Sequence, residues 1–150
     1  MNALLQSLFD KWKRDGAAYR PPVEPRVIAA FEDRYQVRLP ADFREYLAFC
    51  DGMDDHVSDE DYFSFWSLSR IRPIPEELPA SYGKYRDFAG ASRFFCFVDW
   101  SIRAEVFALE LHNDLAVVNR VFALGPRPLS VIGFGGFVEA YLEDYGALLA

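Results

Sequence analysis

The stretch that decides the fold runs from Pro25 to Gly52 and reads PRVIAAFEDRYQVRLPADFREYLAFCDG. Four apolar residues in its first half, Val27, Ile28, Phe31 and Tyr35, recur at intervals of three and four positions. Residues with this spacing share one face of an α-helix, so the first half predicts a short amphipathic helix. The apolar stripe of this helix needs another surface to cover.

The second half of the stretch predicts another short helix that begins next to Pro40. Proline suits the first helical turn, where its missing N–H would have no intrahelical partner, and it keeps Leu39 out of the helix. Gly52 suits the left-handed conformation that closes a helix. The apolar stripe consists of Phe43, Tyr46, Leu47 and Cys50. Neither helix is long enough to be stable alone, so we expect both to pack on structure formed by the flanking sequence.

Two further helices are predicted near the ends of the sequence. One covers residues 2–15 and is followed by an extended connector over residues 17–24, which contains two adjacent prolines. The other has Ser130 as a candidate cap and Gly146 as a candidate stop. Their apolar faces comprise Leu4, Leu5, Leu8 and Trp12 in the first helix, and Phe134, Phe137, Val138, Tyr141, Leu142 and Tyr145 in the last.

Between these helices the sequence predicts strands rich in aromatic and β-branched residues. A helical turn at 67–72 and a long surface loop at 73–92, either irregular throughout or with a short helix, separate the first strand from the others. The triplet 112–114 offers turn chemistry for a hairpin, residues 121–124 extend its second strand or begin another, and 125–128 break the pattern. The candidate strands are 62–66, 93–100, 104–111 and 115–119. This order predicts a single-domain α+β fold, in which N-terminal helices and a C-terminal helix pack around an antiparallel sheet.

The composition is that of one folded domain with an aromatic core. Of 150 residues, 51% are hydrophobic and 17% are aromatic, which excludes a disordered chain. The N-terminal residues do not resemble a secretory signal, and no stretch is apolar enough to span a membrane, so we expect a cytoplasmic protein. Cys50 and Cys96 lie in apolar runs, where we expect buried free thiols; a disulfide between them is the alternative.

The negative charge of the chain is concentrated in residues 51–61. The formal net charge is −7, and this run alone holds six acids and no lysine or arginine. A net acidic chain is a poor nucleic-acid binder, and its natural complement is a basic protein surface. We expect an exposed loop, which is either simply solvated, a docking patch for a basic protein, or a metal site, although the calcium-loop pattern is absent. The candidate partner-binding residues are Asp51, Asp54, Asp55, Asp59, Glu60, Asp61 and Trp66.

The remaining reactive residue types do not form a recognisable catalytic pattern. His56 and His112 lack metal-ligand spacing, and the serines lie in no nucleophile elbow. Residues 133–136 are glycine-rich but lack the lysine and spacing of a phosphate-binding loop. We therefore predict neither a catalytic residue nor a cofactor or metal site.

The ordered motifs resemble the signature of the SUKH superfamily, which is named in part for yeast cell-wall-assembly regulators. Residues 39–47 (LPADFREYL) followed by Asp51-Gly52 resemble its "LP.D(Y/F)R.(F/Y)L…NG" pattern, with Asp51 in place of the usual Asn. Residues 63–68 (FSFWSL) look like its next element. The segment 134–142 (FGGFVEAYL) is similar to its C-terminal "SF..FL…L" helix, with Gly133 in place of the usual Ser.

The resemblance covers residues 25–146 and makes residues 1–20 an additional N-terminal helix of the same domain. It implies an α+β fold and a non-enzymatic role in protein binding. Many bacterial members are immunity proteins that neutralise a cognate toxin, often a nuclease, encoded by a neighbouring gene. We therefore expect a toxin-neutralising protein that binds a basic partner. The alternatives are a regulatory or scaffold domain with an endogenous partner, and a small enzyme or ligand-binding domain with a cleft between the sheet and residues 73–92.

Overall fold

The computed structural model describes residues 2–124 and 127–149. Its centre is a six-stranded antiparallel sheet with the order β1-β3-β4-β5-β6. The short strand β2 also pairs with β3: β1 lies beside residues 98–100 of β3, and β2 lies beside residues 95–96. The strands are β1 (Phe63–Phe65), β2 (Arg72–Pro73), β3 (Phe94–Trp100), β4 (Glu105–Glu110), β5 (Arg120–Ala123) and β6 (Arg127–Ile132).

The first helix and the last long helix each begin at a side chain that accepts a backbone N–H. The Asn2 side chain accepts a hydrogen bond from the N–H of Leu5 and caps the first helix, which ends at Gly16 in the left-handed conformation. The last long helix starts against a carboxylate from another element, because Oδ2 of Asp42 accepts the N–H of Gly135 at 2.8 Å. The helices are α1 (Ala3–Asp15), α2 (Pro25–Tyr35), α3 (Ala41–Leu47), α4 (Ile74–Glu77), α5 (Gly83–Arg86), α6 (Gly133–Asp144) and α7 (Gly146–Leu149).

The core is a layer of aromatic rings between the sheet and the helices α1, α3 and α6. Trp12 of α1 lies edge-on to Phe65 of β1, with ring centroids 5.0 Å apart. Phe137 of α6 is completely buried and packs against Phe107 of β4 at 5.2 Å. Phe43 of α3 meets α6 in the same layer. Each such ring contributes about 2–3 kcal/mol by burial, so the sheet and these helices form one α+β domain, as the sequence predicts.

Both helices of the deciding stretch form, with two local differences from the prediction. Ile28 and Phe31 of α2 are buried as expected, but Val27 at the edge of the stripe is 45% exposed. Gly52 does adopt a left-handed conformation, with φ of +71°, but α3 ends at Leu47, well before it. The glycine instead lies against the backbone at Trp66, so its role is close packing rather than helix termination.

The second half of the sheet departs most from the sequence prediction. Residues 115–119 are a loop rather than a strand, because Leu115, Val117 and Val118 face solvent. The partner of β4 is β5, held by an ion pair between Arg120 and Glu110 at 2.8 Å. The strand β6 was not predicted.

Ser130 lies inside β6 and does not cap α6, so this prediction is wrong. The segment 73–92, predicted as a loop with room for a short helix, contains α4, α5 and two short 3₁₀ helices at 80–82 and 91–93. Of the pattern break predicted at 125–128, Gly125 and Pro126 lie outside the described residues, whereas Arg127 and Pro128 belong to β6, so the break does not extend to them.

The two cysteines are free and buried, as the apolar runs around them predict. Burial raises the pKa of each thiol from 9.0 to about 12. Within the described ranges, no helix is both long enough and apolar enough to cross a bilayer.

The buried thiols predict a loss of stability at alkaline pH. In the unfolded chain Cys50 and Cys96 ionise near their usual pKa, whereas the folded chain holds both protons to about pH 12. Their contribution is therefore complete below pH 9 and is lost as the pH rises towards 12. We expect urea titrations to show the free energy of unfolding falling by about 2 kcal/mol per thiol between pH 8 and pH 11.

The variants Cys50→Ala and Cys96→Ala provide the control for this prediction. Each variant is compared with its own stability at pH 8, so the packing lost with the sulfur atom cancels. The alkaline decrease should be smaller in each variant by the contribution of one thiol. Parallel decreases in the wild type and both variants would contradict the assignment.

Candidate partner-binding surface

The acidic run, residues 51–61, lies along the outer edge of β1 instead of projecting into solvent. The N–H of Met53 donates to the carbonyl oxygen of Phe65, and the N–H of Asp59 donates to that of Phe63, both at 2.9 Å. Met53 is itself buried. The run therefore satisfies the polar backbone of an edge strand, and the loop predicted to be exposed is exposed only in part.

The six acids of the run differ in their exposure. Asp54, Asp55 and Glu60 face solvent, whereas Asp51 and Asp61 are half-buried. Asp59 is only 4% exposed. In the free chain, the acids on the surface that a partner would meet first are therefore Asp54, Asp55 and Glu60.

Asp59 is the centre of a buried polar cluster. Its Oδ1 accepts hydrogen bonds from the N–H groups of Asp61 at 2.8 Å and Phe63 at 3.0 Å, and its Oδ2 accepts the hydroxyl of Tyr141. The Nζ of Lys11 lies 3.5 Å from the same Oδ2. Burial and the Asp59 carboxylate raise the pKa of the Tyr141 phenol, which therefore stays a neutral donor. The cluster joins α1, the acidic run and α6.

Lys11 supplies the counter-charge to three carboxylates. Its Nζ lies 2.5 Å from Asp15 and 2.8 Å from Asp61, in addition to its contact with Asp59. Burial alone would lower the pKa of Lys11, but the hydrogen bonds to Asp15 and Asp61 outweigh it and raise the pKa. The three carboxylates lie within 4.8 Å of one another and have the geometry to hold a cation. The ammonium group already fills that role, so this cluster fits an internal ion pair better than a metal centre.

Asp51 and Trp66 also have partners within the fold. The Oδ1 of Asp51 accepts the N–H of Leu68 at 2.6 Å, and burial raises the pKa of this carboxyl. Trp66 is 2% exposed, and its Nε1–H donates to Oδ2 of Asp99 at 2.6 Å. Trp66, a candidate partner-binding residue on condition that it is exposed, is therefore out of a partner's reach in this structure, because its ring belongs to the core. The neighbouring Tyr62, at 63% exposed, is the aromatic residue that reaches the surface.

An open cleft of about 710 Å³ lies between the acidic run and the turn that joins β3 to β4. On its floor, the guanidinium of Arg70 lies 3.9 Å from the centroid of the Trp66 ring. Arg103, at the other wall, donates to the buried carboxylate of Glu77 at 2.7 Å. The Oδ2 of Asp99 lies 3.8 Å from the guanidinium group of Arg70, and its Oδ1 accepts the backbone N–H of Arg103. The positive charges in the cleft are therefore balanced from within the fold.

Left-handed backbone conformations are concentrated around this cleft. Six non-glycine residues of the described ranges have a positive φ between 51° and 72°, and five of them line the cleft. Each such conformation costs about 1–2 kcal/mol for a residue with a Cβ atom. The five residues are His56, Tyr62, Ser101, Ile102 and Arg103. Strain of this kind persists only where the surrounding structure imposes it, and it concentrates at functional sites.

The sequence pattern singled out the acidic wall of the cleft but not the opposite wall. The turn residues 101–103 stood between two strands and received no role. One feature of the sequence could have drawn attention to this turn: it contains an isoleucine between two predicted strands. β-Branched residues are disfavoured in tight turns, because their φ is rarely positive. Nothing in the sequence indicated a role for Arg70 and Arg103, because tertiary structure alone brings both guanidinium groups over the ring of Trp66.

A family model, that of the SMI1 / KNR4 family (SUKH-1), matches residues 22–122, about two thirds of the chain. The chain belongs to this family. The SUKH-1 match includes the deciding stretch, the whole acidic run and the turn at 101–103, so both walls of the cleft lie within it. The helices α1 and α6 lie outside the match, and the resemblance of α6 to the family's last helix stays a prediction. Among curated proteins, none matches this chain.

Proposed function

We propose that this SUKH-1 chain is a non-catalytic immunity-type protein that neutralises a cognate toxin by covering the toxin's basic surface. The observation that carries the proposal is the exposure of three acids of one run, Asp54, Asp55 and Glu60. Asp55 lines a cleft together with the exposed ring of Tyr62. Acids at an interface rim steer a basic partner, and a tyrosine offers contact area at low entropic cost.

The charge of the chain suits this partner class. A toxin that cuts nucleic acid needs a basic cleft to bind phosphates, and an acidic protein placed over that cleft excludes the substrate. The six acids of residues 51–61 place negative charge at the binding surface, which accelerates the encounter at low salt. The partner is a basic protein, for which a toxin domain encoded by a neighbouring gene is the first candidate. We place the complex in the cytoplasm, where such a toxin would attack nucleic acid.

Neutralising the three exposed acids should weaken binding to that toxin domain. The variant carries Asp54→Asn, Asp55→Asn and Glu60→Gln, which keep the side-chain size and remove three negative charges. Exposed interface charges are worth about 0.5 kcal/mol each, so we expect about a tenfold loss of affinity at low salt. Surface plasmon resonance at 50 and 300 mM salt should show a slower association rate and a smaller salt dependence.

The matched control removes the same charge from other surfaces of the molecule. It carries Asp33→Asn on α2, Asp87→Asn after α5 and Glu139→Gln on α6, all at exposed positions. We expect its affinity to stay within about twofold of the wild type, because the effect is local rather than one of net charge. Equal losses in both variants would contradict a docking role for the acidic run.

The first measurement also separates this role from the regulatory alternative. Wild-type chain that binds no neighbouring gene product at low salt would contradict the immunity role. Growth protection gives an independent check: co-expression of the chain should rescue cells that express the toxin domain. The triple variant of the acidic run should protect less well than the control variant.

A further inference from the structure

The turn between β3 and β4 presents an isoleucine that is almost completely exposed. Ile102 has 97% of its surface accessible, which is more than any other large apolar residue in the described ranges. It lies at the tip of the turn formed by residues 101–103, all three in the left-handed conformation. A side chain of this type gains nothing in stability at such a position, since it buries no apolar surface and its backbone is strained.

The tip is held in place from both sides. The N–H of Ser101 donates to the carbonyl oxygen of Tyr62 at 2.9 Å, which joins the tip to the end of the acidic run. The N–H of Arg103 donates to Asp99 at 3.2 Å, and its guanidinium group is anchored on buried Glu77. The exposed isoleucine is therefore preorganised, which lowers the entropy lost when it enters a binding pocket.

The surroundings of Ile102 define what it fits. Asp55 lines the same cleft, and Asp54 and Glu60 are exposed acids of the same run. The nearest guanidinium groups, those of Arg70 and Arg103, are already paired with Asp99 and Glu77. Asp55 also forms an exposed ion pair with Arg20 at 3.8 Å, which solvent screens. A partner at this face thus meets an apolar tip beside the exposed acids of the run. The complementary surface is an apolar socket with lysine and arginine at its rim.

We propose that Ile102 is the central anchor of the partner-binding surface and inserts into an apolar socket on the basic partner. The inference rests on the proposed function and adds to it the residue that carries the affinity. The exposed acids govern the rate of association, and Ile102 governs the rate of dissociation. The strain of the tip is retained because binding, rather than folding, requires it.

The test uses Ile102→Asn in the full chain against the neighbouring toxin domain. Asparagine is uncharged, and it tolerates the left-handed conformation better than isoleucine. We expect the affinity to fall about 30-fold, mainly through faster dissociation, with the salt dependence unchanged. The melting temperature of the free variant should stay equal or rise by about 2 °C. Lost binding without lost stability is a result that a purely structural role for Ile102 does not give.

Ile132→Asn is the matched control, because Ile132 is also exposed, at 65%, but lies at the end of β6. Its binding should equal that of the wild type. If the wild type binds and Ile102→Asn binds equally well, the anchor is overturned while the proposed function stands. If Ile102→Asn lowers both affinity and melting temperature, Ile102 is a structural residue and the anchor is also overturned. If the wild type binds no toxin domain, the proposed function fails and the anchor fails with it.

Discussion

Replacing Gly52 by alanine is expected to lower the free energy of unfolding by about 3–5 kcal/mol. Gly52 has a φ of +71°, which strains any residue with a Cβ atom. A Cβ atom at this position would also lie 2.6 Å from the carbonyl oxygen of Trp66 and 2.9 Å from that of Phe65. These are backbone atoms of β1 and the turn after it, so they cannot rotate away. Relief requires the acidic run to separate from the strand.

Gly16→Ala is the matched control for this prediction. Gly16 has nearly the same φ, +70°, but a Cβ atom there would meet nothing within 4 Å. We therefore expect a loss of about 1 kcal/mol, which is the conformational strain alone. Urea titrations of both variants measure the difference, which isolates the steric contribution at Gly52. Similar losses at the two positions would show that the close approach to β1 has no energetic weight.

Asp59→Ala is expected to lower the free energy of unfolding by about 3–5 kcal/mol, because it removes one partner of a buried charged cluster. The N–H of Phe63 and the hydroxyl of Tyr141 would lose their acceptor, and Lys11 would lose one of its three carboxylates. Unpaired buried donors cost more than the net gain of the original hydrogen bonds. The measurement is the unfolding transition followed by tryptophan fluorescence, since Trp12 donates to Tyr141 beside the cluster.

The neighbouring variant Glu60→Ala is the control, since Glu60 is an exposed acid of the same run. Its effect on stability should stay within about 0.5 kcal/mol. A double-mutant cycle of Asp59→Asn with Lys11→Met should give a coupling energy above about 1 kcal/mol. Additive effects of these two changes would contradict a shared cluster.

The fold was predictable where burial follows a regular period. The apolar residues of α1, α3 and α6 recur at helical spacing, and β3 is a nearly continuous apolar run covered on both faces. The prediction failed where apolar residues are exposed. Leu115, Val117 and Val118 are β-prone but face solvent. In β6 only alternate residues are half-buried, so this edge strand has a weak pattern.

The sequence locates the acidic residues of the candidate site but does not give their exposure. Six acids in one run indicate where charge lies, but Lys11 neutralises Asp59 and Asp61 from about 50 positions away in the sequence. The role of Ile102 depends on the solvent exposure of a strained turn, and no spacing rule reports that quantity. Trp66 is the reverse case, a candidate binding residue that the structure buries. Its indole N–H donates to Asp99 of β3, and its ring belongs to the core.

The first helix has a practical consequence for anyone who shortens this protein. It precedes the segment that matches the family, which begins at residue 22. A recombinant fragment trimmed to the matching segment would remove Trp12 from its place against Phe65 and strip Lys11 from its acids. Such a fragment would expose aromatic rings and bury unbalanced carboxylates, which favours inclusion bodies over native material. Expression boundaries chosen for crystallisation or fusion should therefore retain the first sixteen residues.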